Sequence, residues 1–205
     1  MKLLALLYAR LDRSHTAKRF NRFYWLDKDP FGAKDSKYEL SKQDRLLEFI
    51  AQQENRLSLD VGCGNGFLSR RIAAHCGQLI GIDFSSKAIQ LAQQNCAGVT
   101  NISLHVDDIR NYEHAEVFNL IICSEVLYYL HGQALDDVVK KLHRLSAPDG
   151  RLALVGRADA SIVPHSLQRW FTLADQAADR DWYRPYAVSI YQPQPAIHPE
   201  SNHTR

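Results

Sequence analysis

The sequence lacks a strong excess of charge of either sign and any long apolar run. Lysine and arginine number 25 against 23 aspartates and glutamates, a formal charge of +2. A dedicated nucleic-acid-binding domain usually carries a marked basic excess. No apolar run approaches the roughly 18 residues that a membrane-spanning helix needs. We therefore expect neither a nucleic acid nor a membrane as partner, and instead a small-molecule substrate.

The sequence has few cysteines, and no two of them are spaced as in a metal-binding or redox motif. The four cysteines, at positions 63, 76, 96 and 123, include no C-x-x-C pair, which argues against a zinc knuckle or a redox pair. Free thiols suit a reducing compartment, so we expect a cytoplasmic protein. Histidine, aspartate and glutamate form no cluster with metal-ligand spacing, so no metal is expected.

Apolar runs alternate with helical patterns along the chain. Strands are predicted at 57–61, 79–82, 102–106, 118–123 and 152–155. This alternation predicts an α/β fold with a doubly wound, mainly parallel sheet and helices on both faces. At 205 residues the chain has room for one such domain with a substantial core.

Helix starts and turns are marked by short polar signals. Ser36 and Glu39 form a capping box that opens one helix, and Ser85 caps another. A turn is predicted at 148–150, where the sequence reads Pro-Asp-Gly. Farther along, the pattern predicts a helix at 166–174, an edge strand at 187–191 and a disordered tail from Gln192 onward.

A glycine-rich turn follows the first predicted strand. Residues 60–66 read Asp-Val-Gly-Cys-Gly-Asn-Gly, and a helical pattern starts directly afterwards. Glycine lets backbone approach a ligand closely, and the start of a helix favours anionic groups. The dinucleotide fingerprint requires glycine or alanine at position 67, where this chain has Phe67. The spacing therefore disfavours a nicotinamide dehydrogenase.

Three aspartates fall at strand ends, where ligands of doubly wound sheets bind. Asp83 ends the second strand and can accept hydrogen bonds from both hydroxyls of a ribose, although it can also cap the next helix. Asp108, with the apolar Ile109, offers an acceptor and a surface for adenine, with Asp107 as its competitor. Asp60 either orders the glycine turn or holds a ligand ammonium through water.

These motifs, in this order and spacing, resemble those of class I S-adenosylmethionine (SAM) methyltransferases across about residues 36–156. The resemblance implies a Rossmann-like, seven-stranded, mainly parallel sheet, with SAM as cofactor and S-adenosylhomocysteine (SAH) as product. We assign 1–35 to an N-terminal helical lid segment, 36–191 to the methyltransferase domain and 192–205 to the tail. The cofactor-binding residues carried over are Asp60, Gly62, Cys63, Gly64, Gly66, Asp83, Phe84, Asp108, Ile109, Ser124 and Tyr38.

Four stretches are also similar to the nodulation protein S (NodS) family. They lie at 29–31 (Asp-Pro-Phe), 36–42 (Ser-x-Tyr-Glu-x-x-Lys), 75–79 (His-Cys-Gly-Gln-Leu, leading to Asp83) and 118–130, where the sequence reads FNLIICSEVLYYL. The resemblance implies SAM-dependent N-methylation of an amine, of which an amino sugar or oligosaccharide is one class. Asn119 departs from the aspartate usual in this family, and the segment after Arg157 matches poorly, which is where substrate contacts often lie.

Glu125 and Tyr129 are the candidate catalytic residues, because both follow the fourth strand at the expected mouth of the site. Tyr128 and His131 are neighbouring candidates for a base. Alternatively, the tyrosines form a pocket wall and Glu125 caps the next segment. Lys42 is either solvated or reaches the cofactor carboxylate. The aromatic residues Tyr24, Trp25, Phe31 and Tyr38 either form a lid or pack the N-terminal helix against the domain.

Other functions remain in competition at this stage. A small-molecule O-methyltransferase is the enzymatic alternative, and a non-catalytic partner protein of the same fold is the second. A nucleic-acid amino-methyltransferase would show Asn/Asp-Pro-Pro-Tyr/Phe after the fourth strand, where this chain reads Cys-Ser-Glu-Val. The oligomeric state is left open.

Overall fold

The computed structural model describes residues 16–157, 165–180 and 184–195. Its strands are β1 (Leu57–Val61), β2 (Gln78–Asp83), β3 (Ile102–Val106), β4 (Phe118–Ser124), β5 (Ser146–Arg157), β6 (Phe171–Asp179) and β7 (Tyr186–Pro193). Its helices are α1 (Ala17–Leu26), α2 (Lys37–Ile50), α3 (Phe67–Ala73), α4 (Ser86–Asn95), α5 (Gly132–Leu145) and α6 (His165–Trp170), with a short 3-10 helix at Leu127–Tyr129.

The strands form one sheet in the order β3-β2-β1-β4-β5-β7-β6. Strands β1 to β5 are parallel, whereas β7 is antiparallel to both of its neighbours, β5 and β6. The expected seven-stranded, mainly parallel sheet is thereby confirmed. Because β1 to β5 run in the same direction, the loops after these strands meet at one edge of the sheet.

Helices cover both faces of this sheet, which explains the apolar run in β4. Leu120 and Ile122 pack with α2 and α3 on one face, while Ile121 packs with α5 on the other. All three side chains are fully buried. Each contributes roughly 1.5–3 kcal/mol through removal from water. The burial fixes the central strands and therefore the edge at which their loops meet.

The second half of the chain differs from the sequence-based prediction in two elements. The helix expected at 166–174 ends at Trp170, and β6 begins at the next residue. The strand expected at an edge, 187–191, is interior because β6 pairs along its outer side. Strand β6 exposes most of its polar side chains, so it shows no apolar alternation that would have identified it.

Two smaller expectations also need correction. Residues 148–150 lie in an irregularity within β5 rather than in a turn before it, since the register with β4 shifts there. Gln192 and Pro193 belong to β7, not to a tail. The remaining tail from 196 and the first 15 residues, where a short N-terminal helix is favoured, lie outside the described residues.

Candidate active site

The glycine turn after β1 adopts a backbone that side chains disfavour. Gly62, Gly64 and Gly66 have φ values of 72°, 57° and 80°. The N–H groups of Gly62 and Cys63 donate to the carbonyl of Ile82 at 2.8 and 3.0 Å, which ties the turn to β2. A Cβ at Gly62 would lie 2.6 Å from a methyl carbon of Val126. The turn therefore lies closely against the loop that follows β4.

The three glycines do not share one role. Gly62, Cys63 and Gly64 line a cavity at the carboxyl edge of the sheet, whereas Gly66 does not. A Cβ at Gly66 would lie 2.8 Å from the Cα of Ala92, so this glycine permits close packing of α3 on α4. Gly66 lies outside the cavity lining, and its contact with the cofactor stays a prediction.

Asp83 ends β2 and faces the same cavity. Its carboxylate accepts hydrogen bonds from the N–H groups of Gly64 at 3.1 Å and Ser85 at 2.8 Å. Burial raises its pKa to about 6, although both hydrogen bonds oppose the rise. A carboxylate has about four lone-pair positions, so two donors leave acceptor capacity for a ligand. The side chain thus both orders the glycine turn and remains available to the cavity.

Asp60 is more deeply buried, with 1% of its surface exposed. The Ser69 hydroxyl donates to its carboxylate at 2.6 Å. Burial raises the pKa of Asp60 to about 6, and the Asp83 charge adds to the rise. Ser69 shows no sequence signal of its own, since it is one polar residue within α3. The contact supports the loop-ordering role of Asp60, and the residue still lines the cavity.

Asp108 lies at the cavity beyond β3, beside the buried Ile109. Arg110 engages both oxygens of its carboxylate through Nε at 3.0 and 2.9 Å, and also through a terminal nitrogen. Burial alone would raise the pKa of Asp108, but Arg110 outweighs it and holds the pKa below its ordinary value. Asp107 also lines the cavity, and its carboxylate accepts from the N–H of Asp108.

Ser124, the last residue of β4, and Glu125 directly after it both line the cavity. Glu125 has φ 58°, the one positive value for a non-glycine residue in the described part of the chain. Its N–H donates to the carbonyl of Val155 at 2.8 Å, which fixes the turn. Residues held in this region cost about 1–3 kcal/mol and concentrate at functional sites.

Lys42 on α2 points inward and binds two carboxylates. Its Nζ lies 2.7 Å from Oε1 of Glu125 and 2.9 Å from Oε2 of Glu39, and 4.7 Å from the ring centre of Tyr38. The solvated alternative for Lys42 is wrong, because its side chain is 4% exposed. Its contact with the cofactor carboxylate stays a prediction. Residue 42 is 83 positions from residue 125, so sequence patterns carry no signal for their contact.

Tyr128 and Tyr129 form part of the cavity wall. The Tyr128 hydroxyl donates to that of Tyr129 at 3.1 Å, and the Tyr129 ring packs edge-on against Phe20 at 5.5 Å. Burial raises the pKa of both tyrosines, with Glu125 adding to the rise. Their hydroxyls therefore stay protonated near neutral pH and act as donors rather than bases.

Helix α1 and the loop after it contribute to the cavity wall and lie against the glycine turn, since a Cβ at Gly64 would lie 2.7 Å from the Tyr24 hydroxyl. Phe20, Tyr24 and Phe31 line the cavity, and so does Tyr38 on α2. Asn21 fastens α1 to the start of α4, since its side-chain oxygen accepts from the Ser85 hydroxyl at 2.7 Å and from the N–H of Lys87 at 3.0 Å. The lid expectation is wrong for Trp25, which is 64% exposed and lies outside the lining.

The cavity has a volume of about 1310 Å³ and brings together every predicted site residue except Gly66. Seven acidic and four basic side chains line it, a formal excess of three negative charges. The acidic residues are Asp29, Glu39, Asp60, Asp83, Asp107, Asp108 and Glu125, and the basic ones are Lys42, Arg110, Arg157 and Arg184. Sequence reasoning had not selected Phe20, Glu39, Arg157 or Arg184 for this site.

The described residues contain neither a metal-binding cluster nor a membrane-spanning helix. No group of three or more histidine, cysteine, aspartate or glutamate side chains converges there with metal-binding geometry. No helix there has the length and apolarity to cross a bilayer.

The chain is similar to several known methyltransferases. It is 32% identical over 144 residues to nodulation protein S of Rhizobium tropici, covering 69% of this chain and 58% of that protein. It is 31% identical over 118 residues to the ubiquinone biosynthesis O-methyltransferase of Hydrogenovibrio crunogenus, covering 54% and 46%. The chain spans less than two thirds of the length of the curated relatives it matches.

A solved structure shares the fold. The N-methyltransferase NodS of Bradyrhizobium japonicum WM9, crystallised with SAH, has a TM-score of 0.81 at 23% identity, covering 89% of this chain and 100% of that one. The model of the methyltransferase domain family matches residues 53–189. This match runs from just before β1 into β7 and includes the glycine turn, Asp83, Asp108 and Glu125. The chain therefore belongs to the methyltransferase domain family and has its class I fold.

Proposed function

We propose that this protein is a SAM-dependent methyltransferase that transfers a methyl group to the nitrogen of a small amine. The observation that carries the proposal is the charge of the cavity, whose lining has a formal excess of three negative charges. A cationic sulfonium and a protonated amine are both attracted to such a site, whereas an anionic acceptor is repelled. The similarity to N-methyltransferases at both sequence and fold level supports the same acceptor class.

The cofactor is proposed to lie along the loops after β1, β2 and β3. The glycine turn with Cys63 would face the methionine end, Asp83 with Phe84 the ribose, and Asp108 with Ile109 the adenine. The backbone carbonyl of Ser124 would accept from the methionine amine. These residues fit such a ligand because they offer a backbone free of Cβ atoms beside carboxylates aimed into one cavity.

When bound, SAM supplies a methyl group on sulfur, and attack by the amine nitrogen forms the N–C bond while the C–S electron pair returns to sulfur. The contribution of the chain is mainly orientation and water exclusion. An amine attacks only when neutral, so one ammonium proton must leave first. Glu125 is proposed to accept that proton on its carboxylate and to release it to solvent, since the side chain is 29% exposed.

Tyr129 is proposed to shape the wall and donate a hydrogen bond, because its hydroxyl stays protonated. Helix α1 and the loop at 27–36 are proposed to act as the lid. Asp29 supports this arrangement: its carboxylate accepts from the Asn65 amide at 2.9 Å and so joins that loop to the glycine turn. A cavity roofed in this way suits a small acceptor rather than a nucleic acid. The four free thiols suit a reducing cytoplasm.

The test combines thermal melting with isotope transfer. Melting is measured with SAM, SAH and NAD in separate wells, because a ligand of the folded state raises stability by roughly RT ln(1 + [L]/Kd). We expect a shift with both adenosyl ligands and none with NAD. Methyl-labelled SAM is then incubated with amino sugars, alkylamines, a catechol and a carboxylic acid. Label on the amines is expected; label on the catechol alone would indicate O-methylation, and a shift with NAD alone would refute the proposal.

A further inference from the structure

Lys42, Glu39 and Glu125 form a charged triad in the lining of the cavity. The Lys42 side chain is 4% exposed, whereas the side chains of Glu39 and Glu125 are 22% and 29% exposed. Burial lowers the pKa of Lys42, but the two carboxylates outweigh it and the net direction is upward. The ammonium is therefore kept protonated beneath two carboxylates that reach the open side of the cavity.

The triad carries one more negative than positive charge. One ammonium cannot neutralise two carboxylates. The Lys42 ammonium contacts one oxygen of each carboxylate, Oε2 of Glu39 and Oε1 of Glu125. The Tyr38 ring adds an aromatic face that already contacts a cation, since the Lys42 nitrogen lies 4.7 Å from its centre. The carboxylates and the aromatic ring that bind the Lys42 ammonium are also suited to bind a second cation.

Other charged or titratable groups also face the triad. Asp29 adds negative charge near Glu39, while Arg184 adds positive charge near Tyr38. Tyr128 and Tyr129 face Glu125 and remain neutral. Arg184 lies at the exposed rim, where solvent screens its charge more than it screens the half-buried carboxylates.

We infer that Glu39 and Glu125 are specificity-determining residues: held together by Lys42 with one negative charge unbalanced, they make this part of the cavity select an amine that arrives as an ammonium. The inference rests on the proposed function and names how its acceptor is recognised. Lys42 neutralises one of the two carboxylate charges, so the triad has charge left for one further monocation rather than two. A neutral hydroxyl of the same size gains none of this attraction.

The experiment compares n-propylammonium with n-propanol, which have the same chain and differ in charge. Binding to the free and the SAH-saturated protein is followed by ligand-observed NMR at constant ionic strength. We expect the wild-type protein to bind the ammonium more tightly than the alcohol. E39Q and E125Q should each weaken ammonium binding about fivefold or more, the effect of one unit charge 4 Å away even in bulk water. K42M should strengthen it by a similar factor, and alcohol binding should not change.

Two exposed residues supply matched controls. K37M removes a lysine from the first position of α2, and E54Q removes a glutamate just after that helix. Neither should alter the preference for ammonium. K42R keeps the charge and should retain the preference for ammonium over alcohol. If K42M fails to fold in a melting experiment, E39Q and E125Q carry the test.

Equal or undetectable binding of the two probes by the wild-type protein would overturn the inference. The inference would also be overturned if K42M bound the ammonium no more tightly than wild type while K42R and both control variants kept the wild-type preference for ammonium. Failure of the proposed function is distinguishable, since it appears as absent SAH binding or absent transfer of label to amines. Ammonium selectivity without SAH binding would keep the subsite and refute the enzyme assignment, whereas SAH binding without ammonium selectivity would refute the subsite alone.

Discussion

Replacing Asp60 by asparagine is expected to stabilise the free protein at neutral pH. The buried Asp60 has a pKa of about 6 instead of 3.8, a rise of just over two units. Each unit corresponds to about 1.36 kcal/mol, so the ionised carboxylate costs about 3 kcal/mol relative to its neutral form. Asparagine has nearly the same shape without the charge. Ser69, which donates to this carboxylate at 2.6 Å, can rotate its hydroxyl to accept from the new amide.

The pH dependence of the free energy of unfolding tests the same raised pKa of Asp60 independently. A group whose pKa is raised on folding contributes stability that is present below its unfolded pKa and is lost as pH rises through the folded value. The wild-type protein should therefore gain stability as pH falls from about 7 toward 4. Asp60 alone supplies about 1.4 kcal/mol of that gain between pH 7.5 and 5.0. Asp83, also with a pKa of about 6, supplies a similar share, so D60N should lose only part of the slope.

Urea unfolding at pH 7.5 and 5.0 measures both effects through the fluorescence of the three tryptophans. D60N should unfold at higher urea than wild type at pH 7.5, with the difference shrinking at pH 5.0. D136N, on the exposed face of α5, should match wild type at both values. The same D60N protein should bind SAM at least about fivefold more weakly, because a negative charge facing the cationic ligand is gone. D60N that is less stable than wild type at pH 7.5 with an unchanged slope would refute the reasoning.

Three further substitutions test the supports of the site. Gly66→Ala should lower the free energy of unfolding by at least about 3 kcal/mol, because its φ of 80° is strained for alanine and the new Cβ would lie 2.8 Å from the Cα of Ala92. Gly98→Ala, at φ 82° with open space around it, should lower the free energy of unfolding by only about 1 kcal/mol. Equal urea midpoints for the two variants would contradict this expectation. Arg151→Met should lower the free energy of unfolding by about 2–4 kcal/mol in the same assay, since the buried guanidinium donates to two carbonyls at the end of α2. A decrease below about 0.5 kcal/mol would show that these carbonyls find other partners. Asn21→Ala should cost about 1 kcal/mol and speed hydrogen exchange across α1, and unchanged exchange there would show that the cap does not fasten the helix.

The parts of the site that sequence reasoning located are those determined by short stretches of chain. The glycine turn lies between β1 and α3, and its spacing reflects backbone angles that few other residues adopt. Asp83 and Asp108 follow strands whose apolar runs identify them, and parallel pairing then brings their ends to one edge. Ser36 and Ser85 cap α2 and α4 as predicted, because a cap involves only the next three residues.

The parts that sequence reasoning missed depend on contacts between distant segments. Lys42 meets Glu125 across 83 positions, and Asn21 meets Ser85 across 64. Strand β6 exposes most of its side chains, so its backbone pairing with β7 decides its structure while its composition reads as helix. These features follow from how the elements pack, and a single sequence does not carry that information.

Four features that cost stability lie at the same edge of the sheet. Asp60 and Asp83 are ionised against their burial, Glu125 adopts a strained backbone, and Lys42 is a buried ammonium. Each would be relieved by an ordinary substitution, such as asparagine at position 60 or glycine at position 125. Strain and buried charge persist where the surrounding structure enforces them and a ligand offsets them. The proposed cationic cofactor and ammonium acceptor would offset the negative charge of the cavity, which explains why all four features lie in the lining of one cavity.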